Sequence, residues 1–98
     1  MKVILSSVGN PSYGQNPDQP LYGAKTNVEV DVETFNIARL MCLEFISNNE
    51  LGGGNWSGGD ILDNGKLIAY VSYNGRVWKV DENGHKYTDK NEEIIINK

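Results

Sequence analysis

Three Asn-Gly pairs punctuate the last third of the chain: Asn64-Gly65, Asn74-Gly75 and Asn83-Gly84. Short runs of apolar and β-favouring residues flank each of them. Asn-Gly holds two successive positive φ angles cheaply, which a two-residue type I′ hairpin turn requires. Three in series predict a four-stranded antiparallel β-meander. A two-residue turn also fixes which residues face each other across it. Around Asn74-Gly75 it sets Tyr73 against Arg76, Val71 against Trp78 and Ala69 against Val80. Around Asn83-Gly84 it sets Val80 against Tyr87, and around Asn64-Gly65 it sets Leu62 against Leu67. The three turns then agree on one apolar face of Leu62, Leu67, Ala69, Val71, Trp78, Val80 and Tyr87. The opposite face, with Tyr70 against Lys79, Ser72 against Val77 and Asp81 against Lys86, is mostly polar.

Upstream, residues 3–8 read as a strand with an apolar start. Residues 9–25 hold three prolines and three glycines and read as a long loop, functional or mobile in a compact domain. Residues 27–30 suit a short strand. A helix follows over Val32 to about Ser47, with Asp31 as N-cap and Glu33 in its first turn. Phe35, Ala38, Cys42, Phe45 and Ile46 share one face at helical spacing. Leu40 falls on the polar side, where it is either an ordinary exposed leucine or part of an interface. Asn48-Asn49 and Gly52 supply stop signals. The β-branched run Ile94-Ile95-Ile96 reads as a terminal strand, at the sheet edge or beside the N-terminal strand. The fold class is α+β: one helix packed on a mostly antiparallel sheet that ends in the four-stranded meander, all within a single domain over residues 1–98.

Charge and cysteine content narrow the function classes. The 98 residues carry a formal charge of −4, with seven acids against three bases in residues 1–60 and six of each thereafter. This balance argues against direct nucleic-acid binding, which depends on neutralising phosphates. It permits either a basic protein partner or a merely solvated acidic surface. One cysteine precludes an internal disulfide and points to a reducing, cytoplasmic setting. The opening Met-Lys-Val-Ile-Leu is too short for a secretory signal, and no run is long enough to span a membrane.

Two segments stand out as candidate sites. Gly52–Gly59 reads GGGNWSGG. Successive N–H groups in such a loop can converge on an anion, and a tryptophan between glycines can lie flat against a ligand or partner. Gly53, Gly54, Asn55, Trp56 and Ser57 therefore form one candidate group. The competing reading is a connector after the helix with Trp56 as a lid on the core. A dinucleotide fingerprint is excluded, because here a helix precedes the glycines and a strand follows. In the second segment, Tyr73 and Arg76 flank a turn where ring and guanidinium can stack, and Arg76 could hold a carboxylate or phosphate. Leu40 completes the candidate set. Cys42 reads as a small core residue and His85, the only histidine, as exposed. No catalytic constellation, metal-ligand spacing or cofactor motif is recognisable, so no catalytic residue, metal or cofactor is assigned.

The stretch from Leu51 to Asp60, the segment Tyr73-Asn-Gly-Arg-Val-Trp78 and the opening Leu5-Ser-Ser-Val-Gly-Asn-Pro11 resemble small phage and prophage proteins. The resemblance carries no catalytic residue with it. It implies a non-enzymatic protein that binds a host protein or complex in the host cytoplasm, as an inhibitor of a defence system. A small-ligand binder sequestering an anionic, cyclic nucleotide signal is the alternative from the residues themselves, resting on Trp56 and Arg76. An enzyme with dispersed acids is a third reading. An open sheet edge would favour a homodimer by edge pairing.

Overall fold

The Asn-Gly turns are of two kinds, and the difference sets the register of the sheet. In the computed structural model, which describes residues 1–9, 13–16 and 28–96, Asn64 and Gly65 both have positive φ, 51° and 80°. Asp63 there pairs with Lys66 and Leu62 with Leu67, as a two-residue turn demands. At Asn74-Gly75 only the glycine is left-handed, at φ 82°. The Gly75 N–H donates to the Ser72 carbonyl at 2.9 Å, and the Ser72 N–H donates to the Arg76 carbonyl at 2.9 Å. That is a three-residue loop, a type I turn followed by a left-handed glycine. Ser72 occupies the first turn position, which serine and aspartate favour. Asp81 does the same before Asn83-Gly84, with Gly84 N–H to Asp81 O at 2.9 Å.

The extra loop residue slides the ladder by one. Strand β4 (Lys66–Val71) meets β5 (Val77–Lys79) with Val71 opposite Val77 and Tyr70 opposite Trp78. Val71 and Trp78 therefore lie on opposite faces, contrary to the two-residue-turn expectation. Val77, 1% exposed, takes the core place expected of Trp78. Tyr87 also leaves the expected core face: its ring lies 4.7 Å from that of Tyr70, and Tyr87 is 66% exposed. The Asn83-Gly84 turn does not join two ladder strands. The chain after it makes a long excursion, and β6 forms only at Glu93–Ile94, with Ile94 opposite Val77.

The sheet is antiparallel throughout, in the order β2-β1-β3-β4-β5-β6. β1 (Lys2–Leu5) lies between β2 (Val28–Asp31) and β3 (Asp60–Asp63). The last four strands follow one another in space, so the fold is α+β with a C-terminal meander. Its fourth strand is β6 at the sheet edge, which takes only Ile94 from the isoleucine run. Of the expected 9–25 loop, only Gly9 and residues 13–16 are described, joined by a Gly9 N–H to Asn16 O bond of 3.1 Å. Asn27 likewise lies outside the described residues.

The helix α1 runs Phe35–Asn48. Asp31 is not its cap, because it still pairs with Lys2 in the sheet and the following Val32 N–H donates to the Met1 carbonyl. Extension ends at Thr34, whose Oγ1 accepts from the Ile37 N–H at 3.1 Å. At the other end Glu50 takes a left-handed φ of 52°. Leu51 N–H then reaches Ile46 O and Glu50 N–H reaches Ser47 O, with Leu51 packed on Ile46. This is a Schellman ending with glutamate where glycine is usual. Ala38, Cys42 and Ile46 are buried on the expected helix face. Ala38 and Cys42 join Val3, Leu5, Ile61, Ala69, Val71 and Val77 in the main core, with Phe35 and Phe45 half-buried against it.

A candidate binding groove

The glycine-rich segment is built into the sheet. Gly59 continues β3 beyond its start: its N–H donates to Ile4 O at 2.7 Å and its carbonyl accepts from Val71 N–H at 2.9 Å. Asn55, 6% exposed, ends a short 3₁₀ turn over Gly53–Asn55. Its Oδ1 accepts from the Gly52 N–H, and its Nδ2 donates to Val8 O and Gln15 Oε1 at 3.0 Å. The N–H groups of Gly52, Asn55, Ser57 and Gly59 are all bonded within the protein, so they do not converge on an anion. Trp56 lies half-buried, 6.0 Å from the Phe45 ring, with its Nε1–H donating to Val71 O at 3.0 Å. It is a lid over that end of the core, and its remaining surface faces the groove described below.

The outer face of the sheet is covered by the excursion after β5. Tyr70, 3% exposed, donates its O–H to Asn91 Oδ1 at 2.9 Å and accepts from the Tyr87 N–H at 3.1 Å. Asn91 Nδ2 donates to the carbonyls of Lys79 and His85, and Lys86 reaches Asp60 across the sheet. Tyr87 adopts φ 58°, a strained backbone for a bulky residue. Burial, with Tyr70 and Asp60 beside it, pushes the Tyr87 phenol up, so it stays neutral at physiological pH.

Asp81 holds the start of this excursion. The His85 N–H keeps its carboxyl below the usual carboxylate range, partial desolvation opposes this, and the Asn83 N–H and Thr88 hydroxyl reinforce it. A folded-state pKa below the unfolded one stabilises above the unfolded value and is lost as pH falls through the folded one. The amides of Asn83 and His85 should therefore lose protection, relative to intrinsic exchange at the same pH, only on strong acidification. Asp81→Asn should remove that pH dependence. Hydrogen exchange followed by NMR checks both.

The Ser72–Arg76 hairpin tip joins these two regions. Tyr73 sits inside the three-residue loop, donates its O–H to Leu51 O at 3.1 Å, and lies against Gly53. A hollow of about 460 Å³ opens between Gly53, Trp56, Ser72, Tyr73, Asn74 and Tyr87. It runs into a second, of about 330 Å³, lined by Tyr70, Ser72, Asn74, Trp78, Tyr87, Thr88 and Asn91. The shared walls make one groove with aromatic sides and an amide- and hydroxyl-bearing floor. Asn74 Oδ1 accepts from Ser72 Oγ, which also accepts from Trp78 Nε1. Among the described residues, no lysine, arginine, aspartate, glutamate, histidine or cysteine lines it.

Of the candidate residues, the fold brings together Gly53, Trp56 and Tyr73. Gly54 and Ser57 are exposed but outside the groove lining, Ser57 bonding Ser6, while Asn55 is structural. The expected stacking of Tyr73 with Arg76 is not formed, because the longer loop turns them apart. Arg76 lines a different hollow with Arg39, Glu93 and Ile94–Ile96. Leu40 is 50% exposed on the helix, away from the groove lining. Sequence reasoning missed Ser72, Asn74, Trp78 and Tyr87. The serine and aspartate two residues before Asn74 and Asn83 were the available signal, since they mark type I turns and hence the other register.

Burial pushes the Cys42 thiol up to about 12, leaving it protonated and unreactive. Among the described residues no grouping of three or more His, Cys, Asp or Glu is placed to hold a metal ion, and no helix is long and apolar enough to cross a membrane. No family model matches the chain, and neither the curated proteins nor the solved structures supply a significant match.

Proposed function

We propose that the chain is a small non-enzymatic binding protein that seats an extended, uncharged segment of a protein partner in the aromatic groove. The described groove lining carries the reading: Trp56, Tyr73, Trp78 and Tyr87 with, among the described residues, only uncharged polar groups between them. Aromatic walls with hydroxyl and amide donors suit extended peptide, which brings apolar side chains and unpaired backbone groups together. Rigid tyrosine and tryptophan rings are also the residues that dominate interface energetics. The positive φ of Tyr87 supports the same reading, since backbone strain tends to gather at functional positions. A sequestered cyclic nucleotide fits less well, because its phosphate would find no cation among the described lining residues. The resemblance to phage and prophage proteins adds the setting: a host protein in the cytoplasm, inhibited by being bound, as part of a defence system.

The test is a photo-cross-linking side chain placed at Tyr73 during expression in a bacterial host. The expected result is one discrete adduct that excess unlabelled protein competes away. Tyr87→Ala, exposed and outside the main core, should weaken capture by roughly 2 kcal/mol, about thirtyfold. The same cross-linker at exposed Lys66 should capture nothing comparable. Saturable quenching of tryptophan fluorescence by a cyclic nucleotide, with no protein adduct, would replace this reading by the nucleotide one.

A further inference from the structure

The three Asn-Gly pairs share the same local chemistry but not the same surroundings, and one of them is left open to reaction. We infer that Asn64-Gly65 is the protein's site of spontaneous succinimide formation and deamidation, while the fold shields the other two. In this reaction the Gly65 nitrogen loses its proton to hydroxide and attacks the Asn64 side-chain carbon. The new N–Cγ bond forms as the Cγ–Nδ2 bond breaks and ammonia leaves. Water then opens the ring at either carbonyl, giving aspartate or isoaspartate.

The attacking nitrogen decides the ranking. Gly75 N–H is held by Ser72 O at 2.9 Å, and Gly84 N–H by Asp81 O at 2.9 Å. Each must break that bond before the nitrogen can be deprotonated and swing onto its asparagine. Gly75 is moreover buried, with Leu43 packed where a side chain would begin. In the type I′ turn, by contrast, the ladder bonds belong to Asp63 and Lys66, and among the described residues neither the Gly65 N–H nor the Asn64 side chain meets a hydrogen-bond partner. Both residues are exposed, and nothing lies within 4 Å of the Gly65 Cβ position. Reaching the reactive geometry requires opening only the Asp63–Lys66 end of the hairpin. The product adds a carboxylate beside Asp63, in the hollow that Glu29 and Asp31 also line.

The experiment incubates the folded full chain in mildly alkaline buffer and follows each Asn-Gly peptide by mass spectrometry with isoaspartate detection. Asn64 should convert first, at least roughly fivefold faster than Asn74 or Asn83, the factor that one retained hydrogen bond supplies. In denaturant the three rates should converge, and Asn64→Gln should abolish the early product in the folded protein. Conversion at Asn74 or Asn83 as fast as at Asn64 overturns the inference. So does a lead for Asn64 that persists undiminished in denaturant, because local sequence rather than the fold would then set the order.

Discussion

Gly59→Ala should destabilise the protein by roughly 2–5 kcal/mol, a large share of the roughly 5–15 kcal/mol available to a small domain. Two independent terms add. Gly59 has φ +99°, a conformation that L side chains rarely adopt. A Cβ there would also lie 2.3 Å from the Val71 carbonyl oxygen and 3.1 Å from the Val71 nitrogen. Those are backbone atoms of a central strand, and the carbonyl is further fixed by the Trp56 indole at 3.0 Å. Neither strand can retreat, because Gly59 is bonded to β1 on one side and β4 on the other. Gly65→Ala is the matched control: its φ is +80° with nothing within 4 Å, so only the backbone term remains, about 1–2 kcal/mol. Urea unfolding of the two variants separates clash from conformation. Equal midpoints would show that the glycine-rich segment does not lie as tightly between the strands as described.

As sequence, GGGNWSGG fits a connector with Trp56 as a lid and also an open ligand loop, since glycine permits both. The choice depends on which strand lies beside it, and that is a long-range fact: β1, far away in the chain, inserts next to β3. Helix and strand positions were more legible because they rest on local periodicity, and the Ala38/Cys42/Ile46 stripe is buried as its spacing implies. The register of the second hairpin depended on one residue of loop length. Asn-Gly serves both the two-residue type I′ turn and the type I turn with a left-handed glycine, and Ser72 at the first turn position tips it to the latter. Because side chains alternate along a strand, this single residue moved Trp78 from the expected core to the outer face. The groove exists because of that move: Trp78 beside Tyr70 gives the excursion containing Tyr87 an aromatic surface to cover.

Ile61→Ala should cost about 2–5 kcal/mol, because Ile61 is fully buried at the centre of the sheet, opposite Val3 on one side and Ala69 on the other. Its place depends on an irregularity that no turn rule anticipates. From the Asn64-Gly65 turn, Asp63 and Leu62 pair in step with Lys66 and Leu67, and then the register shifts between Ile61 and Leu62. Ile61 meets Ala69 instead of Ile68, so β4 carries one extra residue, as in a β-bulge. Without that shift Ala69 would not stand opposite Ile61, and Val71 and Val77 could not complete the same buried face. Leu62→Ala, one residue away and only half-buried on the other side of the strand, should cost much less, about 1 kcal/mol. Chemical denaturation of the pair reads the face assignment directly. Equal losses, or a larger loss at Leu62, would place the core on the wrong side of β3 and remove the outer face on which the groove is built.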